Sequence, residues 1–181
     1  MMTRAECDAW RPDLFGWSSD ILPFYERVIQ DLPRNARVVE IGVYRGRSLL
    51  FLAERLVALG RTDVEVWAVD PLDWDADMLP RFLANWLSSA PEVMRKIRLM
   101  RVPSVVGARA FANASLDLAF IDADHAEIPV REDIIAWRDK IKPGGTLAGH
   151  DYDAPASVKL AVDALLDNVQ VDETVWSRRM P

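Results

Sequence analysis

Only two histidines occur in the chain, and both sit beside aspartates. The stretch "FIDADH" carries Asp122, Asp124 and His125, and "GHDY" carries His150 and Asp151. Such residues suit two kinds of chemistry. Carboxylates with an imidazole can gather a divalent cation, and an imidazole beside a carboxylate can act as a general base. Unperturbed histidine titrates near pH 6.5, which makes His125 the candidate base, with Asp122 as its partner. The plainer alternative for His125 is a loop histidine that orients Asp122 or caps the next helix.

A second set of residues lies upstream in "VVEIGVYRGRS", which runs from strand-like sequence into Glu40, Gly42, Gly46 and Ser48. Glycine tolerates φ > 0 and lets backbone approach a ligand closely. Ser48 is expected to cap the following helix, whose free N–H groups favour an electronegative ligand part. Asp70 ends the next apolar run, where an acid can hold ribose hydroxyls. A nucleoside-containing cofactor follows. The spacing E-x-G-x-x-x-G differs from the dinucleotide pattern G-x-G-x-x-G, so a nicotinamide oxidoreductase is the weaker alternative. A glutamate in this place suits a cofactor bearing an ammonium, such as S-adenosylmethionine (SAM).

The elements that must position these residues alternate along the chain. Strands are expected at 36–43, 64–70, 96–102, 116–122 and 146–151, with short final strands at 169–171 and 174–179. Helices are expected at 21–33, 48–60, 78–87 and 157–169, a weak one at 105–112, and one over 129–145 ended by Gly144 and Gly145. That alternation implies one doubly wound α/β domain around a mostly parallel sheet. Ligands of such sheets bind beyond the carboxyl ends of the strands. Those ends carry Glu40, Asp70, Ser104, Asp122, and His150 with Asp151. Trp137 falls on a core stripe with Val130, Ile134 and Ile141; Trp86 reads as packing and Trp74 as pocket rim. Arg45 and Arg47 meet either an anionic substrate or solvent.

The bulk properties narrow the partners. The 181 residues suit a single domain, and a formal charge of −6 argues against a general nucleic-acid binder. Cys7 is the sole cysteine, which excludes a disulfide framework and fits a cytoplasmic protein. No apolar run reaches the roughly 20 residues needed to span a bilayer. Residues 1–16 read as a polar extension and 17–181 as the domain.

"VVEIGVYRGRS", "VWAVDP", "LDLAFIDADH" and "DIIAWRDKIKPGGTLAGHDY" together resemble the class I SAM-dependent methyltransferases, nearest the O-methyltransferases that act on sugars and antibiotics. The resemblance implies a seven-stranded sheet with the last strand inserted antiparallel. It implies that Glu40 reaches the SAM amino group, Asp70 the ribose, and Ser104 or a neighbour the adenine. It also implies magnesium held at the ends of strands four and five, which places a metal on Asp122 and Asp151. His150 departs from the usual oxygen ligand and would either ligate a softer metal or hydrogen-bond substrate. Tyr44 stands where the commoner motif has glycine, and Ala126–Glu127 where relatives carry Ser-Tyr. The implied reaction is methyl transfer to a small-molecule hydroxyl. A non-catalytic SAM-binding protein and an N-methyltransferase are the alternatives. With few residues to cover the site, a homo-oligomer is an open expectation.

Overall fold

The computed structural model describes residues 1–14 and 19–181. Seven strands form one sheet: β1 (Arg37–Ile41), β2 (Glu65–Val69), β3 (Ile97–Met100), β4 (Leu116–Ile121), β5 (Ile141–Gly149), β6 (Gln170–Asp172) and β7 (Val175–Arg179). Their order is β3-β2-β1-β4-β5-β7-β6. The pairs β3–β2, β2–β1, β1–β4 and β4–β5 are parallel, whereas β7 runs antiparallel to both β5 and β6. The sheet therefore has the expected seven strands and the inserted antiparallel last strand. The chain grows outward from β1 to β3, then returns to β4 on the other side of β1. This reversal opens a crevice between the carboxyl ends of β1 and β4.

Side chains alternate across the sheet, and the two faces bury separate cores. Val38, Val66, Leu118 and Phe120 pack beneath α2 (Ile21–Asp31) and α3 (Arg47–Ala58). Val39, Ile41, Ala119 and Leu147 pack beneath α7 (Glu127–Arg138) and α8 (Ala156–Leu165). Trp137 lies fully buried in this second core, as its stripe predicts, and α4 (Met78–Leu87) has the expected bounds.

Three elements differ from the sequence reading. The N-terminal residues form α1 (Arg4–Ala9), closed by a capping box between Thr3 and Glu6, and Cys7 is fully buried in the first core. α5 (Pro91–Lys96) starts with proline at a first-turn position, where its missing N–H costs nothing. β5 begins at Ile141 rather than after the glycines: Pro143 bars a continuing helix, and the strand absorbs Gly144–Gly145 at an irregularity against Leu116 and Leu118. The expected boundary between residues 16 and 17 lies outside the described residues. No described helix is long and apolar enough to cross a membrane.

Candidate active site

A cavity of about 620 Å³ opens over the crevice, lined by the ends of β1, β2, β4 and β5. Its floor depends on Gly42. This residue has φ +80°, and a Cβ there would stand 2.1 Å from the Asp122 carbonyl oxygen. The β1 and β4 ends can come this close only because position 42 has no side chain. Tyr44 takes φ +48°, the left-handed conformation that a glycine would adopt freely, so the substitution keeps the loop's path. Its ring packs on Trp74 at 5.9 Å and beneath the Arg45 guanidinium at 4.9 Å. Trp74 is 72% exposed and lines the cavity, which matches its expected place at the rim. Trp86 instead packs on Phe82 and donates to the Met94 carbonyl.

Asp70 fixes the same loop. One carboxylate oxygen accepts from the Val43 and Tyr44 N–H groups at 2.8 and 3.2 Å, and the other from Leu72 N–H at 2.6 Å. Burial pushes its pKa up, and these backbone donors oppose that. Asp70 lines the cavity, as does Asp73.

Three expectations for the loop are corrected. Ser48 is not the helix cap: Gly46, at φ +86°, occupies that position, and Ser48 lies inside the first turn. Gly46 packs against the Phe82 ring and is outside the cavity lining. Glu40 does not line the cavity either. Strand alternation puts it on the Val38 face, beneath α2 and α3, where it accepts from Ser48 Oγ at 2.6 Å and Tyr25 Oη at 2.8 Å. It is 1% exposed, and burial raises its pKa to about 8 despite those two hydroxyls. Glu40 thus ties the start of α3 to β1 from behind the site. Arg47 is also buried and donates to the Trp10 carbonyl, which joins the N-terminal segment to the cavity wall.

The far end of the cavity is built by α6 (Ser104–Ala108) and α7. Ser104 Oγ accepts from Trp137 Nε1 at 2.9 Å, so the core tryptophan also orients a cavity residue. Asp133 on α7 lines this end at 4% exposure. Sequence reading missed it; the available signal was an acid directly beside Ile134 on the buried stripe.

The other end joins both histidines to three aspartates. His125 Nε2 lies 2.7 Å from Asp151 Oδ2 and 3.7 Å from Asp122 Oδ1. His150 Nδ1 faces Asp151 at 3.3 Å and Asp122 at 3.5 Å, while its Nε2 contacts Asp20 at 3.0 Å. Thr174 Oγ1 donates to Asp20 as well. Asp20, just before α2, was absent from the sequence reading because no motif marks it. Asp122 and Asp151 push His125 up to about 10 against a smaller burial effect. Burial would lower His150, but Asp122, Asp151 and Asp20 carry it up to about 12. Burial disfavours the charged form of Asp151 too, yet the two imidazoles hold it below the usual carboxylate range. His125, in the loop between β4 and α7, thus faces both carboxylates, whose proximity favours its protonated form.

The donor set fits a divalent cation. Ligand atoms of Asp122, His125 and Asp151 lie within 4.8 Å of one another. His125 thus takes the converging place that the sequence reading gave to His150. His150 stands deeper, 9% exposed, with Nε2 committed to Asp20. Two carboxylates with an imidazole suit manganese, iron or zinc better than magnesium.

A family model described as a methyltransferase domain matches residues 39–152, from β1 to just past β5. The apo TDP-rhamnose 3'-O-methyltransferase of calicheamicin biosynthesis superposes with a TM-score of 0.64 at 17% identity, covering 89% of this chain and 78% of that one. The O-methyltransferase NovP gives 0.57 at 20% identity, with the same two coverages. An rRNA methylase from Streptococcus thermophilus gives 0.62 at 16% identity, over 88% and 95% of the two chains. At these identities the likeness is one of fold. No curated protein matches the sequence.

Proposed function

The chain belongs to the methyltransferase-domain family, and we propose that it moves a methyl group from SAM to a hydroxyl of a small molecule such as a sugar or secondary metabolite. The observation that carries this reading is the aspartate–histidine cluster at one end of a cavity whose other walls are the Gly42 loop and Asp70. Methyl transfer is a direct displacement: the acceptor oxygen forms a bond to the methyl carbon as the carbon–sulfur bond breaks. The acceptor must surrender its proton, and in this reading His125 receives it, supported by its contact with Asp151, which would stabilise the resulting imidazolium. The sulfonium of bound SAM offsets the carboxylates' field, which favours the neutral imidazole that a base requires. Alternatively, Asp122, Asp151 and His125 would together hold a divalent cation, which when bound supplies Lewis acidity at the acceptor oxygen and replaces His125 as the means of deprotonating it.

A small acceptor is favoured over RNA. Asp73, Asp122, Asp124, Glu132, Asp133 and Asp151 line the cavity, a surface that repels a phosphate backbone. The test is calorimetric titration with SAM and S-adenosylhomocysteine, followed by acceptor screening with and without divalent metal. Micromolar binding, with transfer to a hydroxyl that His125→Ala removes while binding persists, supports the reading. Binding of neither nucleoside overturns it.

A further inference from the structure

We propose that Asp20 is a positioning residue for the transfer: from behind the cavity wall it fixes the ring of His150 so that Nδ1 faces Asp122 and Asp151. This inference rests on the methyl-transfer reading above and adds to it a residue outside the segment matched by the family model. Asp20 immediately precedes α2, a place where aspartate ordinarily accepts from an N–H of the helix's first turn. Its side chain makes no such bond. Its two carboxylate oxygens lie 3.0 and 3.2 Å from His150 Nε2 instead, and Thr174 Oγ1, in the turn between β6 and β7, donates to the same carboxylate. The side chain is only 11% exposed, and among the described residues His150 is its only ion-pair partner. A carboxylate in this place has forgone a helix cap and most of its hydration, and the imidazole with the Thr174 hydroxyl offsets that loss.

An imidazole can turn over about χ2, which exchanges each ring nitrogen for a C–H. The Asp20 contact removes that choice. With Nε2 held, Nδ1 is the atom directed at the site, 3.3 Å from Asp151 and 3.5 Å from Asp122; turned over, the ring would set carbon against both acids. The backbone is tied as well. His150 N–H donates to the Ile121 carbonyl at 3.1 Å, and Tyr152 N–H donates to the Thr174 carbonyl at 2.9 Å. Asp151 then meets both imidazoles, with Oδ1 towards His150 and Oδ2 towards His125. His150 lines the cavity and Asp20 does not, so Asp20 acts on the reacting groups only through His150. A carboxylate behind a histidine sets which nitrogen carries hydrogen and how the ring stands, and such partners are commonly worth about 10- to 100-fold in activity.

The experiment uses the two histidines of the chain as probes. In full-length protein labelled with heavy nitrogen in its imidazoles, NMR reads both rings, and His125→Ala identifies the signals of His150. Wild-type protein should carry hydrogen on His150 Nε2, protected from exchange by Asp20. Asp20→Ala should abolish that signature and lower kcat for the hydroxyl acceptor by about 10- to 100-fold, while the affinity for S-adenosylhomocysteine stays within about threefold. Asp20→Asn should retain the signature and most of kcat, since its carboxamide oxygen accepts from Nε2–H. Asp20→Ser can cap α2 but is too short to reach His150, so it should behave as Asp20→Ala does, and it serves should that variant not fold. A role in holding α2 alone would leave the ring signature and kcat of Asp20→Ser as in wild type. That result, an unchanged signature or kcat in Asp20→Ala, or Asp20→Asn as impaired as Asp20→Ala would overturn the assignment while leaving the SAM reading intact. Wild-type protein that binds neither nucleoside, or transfers no methyl group, overturns the methyl-transfer reading itself, and this assignment with it.

Discussion

On the glycine-loop side, each carboxylate is used to hold neighbouring groups in place. Asp70 accepts three backbone N–H groups and Glu40 two hydroxyls, and both residues are almost wholly buried. On the β4–β5 side, Asp122 and Asp151 face two imidazoles instead, and their side chains are 21% and 26% exposed. Backbone donors cannot leave, so the loop is pre-shaped before a ligand arrives. An imidazolium can give up its proton or yield its place to another cation. In the proposed reading the first region holds and the second reacts, and the difference lies in which donors meet the acids rather than in the acids themselves.

Substitutions can test that division, and the largest effect should fall on the reactive side. His125→Ala is expected to slow transfer by about 10²- to 10⁴-fold while the affinity for S-adenosylhomocysteine changes little. A large loss of affinity in this variant would mean that the cluster holds the cofactor, and the contrast would collapse. On the holding side, Gly42→Ala should cost about 3 kcal/mol or more of stability, because its Cβ meets the β4 backbone at a positive φ. Urea unfolding measures this, and near-wild-type stability would show that the two strand ends can separate.

Glu40 gives a pH signature to the same region. Its folded pKa of about 8 lies above the ordinary 4.5, so the folded state keeps a proton that the unfolded chain has released. For an acid shifted upward, stability is greatest below pH 4.5 and falls as pH rises towards 8. Between pH 5 and pH 7 the loss from this group is on the order of 2–3 kcal/mol. Glu40→Gln should remove that slope, and paired urea titrations at the two pH values read the difference. An identical slope in the variant would mean that Glu40 stays ionised under its hydroxyl donors. The smallest effect belongs to the rim: Trp74→Ala should change stability by no more than about 0.5 kcal/mol, given its exposure, and act only on acceptor KM. A larger loss of stability would show that the Tyr44–Trp74 stack supports the loop.

Strand periodicity and glycine placement reveal most of the frame. The apolar runs ending at Ile41, Val69 and Ile121 each become a buried strand, and helix bounds such as Met78–Leu87 follow from local pattern. The short elements are harder to see. α5 is only six residues long, and β5 begins in a Pro-Gly-Gly run that locally resembles a helix end. Across the site, Asp122, His125 and Asp151 were recognisable because adjacent strand ends converge in this fold, and Gly42 because only glycine permits that approach.

What the sequence determined by itself is the order of strands and helices, the acids at the strand ends and the glycine between them, all of which depend on neighbours along the chain. The tertiary structure alone decided which way Glu40 points, since one residue of register reverses the face of a strand. It also decided that His150 is held by Asp20 across 130 residues and that Ser104 accepts from Trp137 on another helix. Those partners are set by packing between distant segments, where local spacing carries no information.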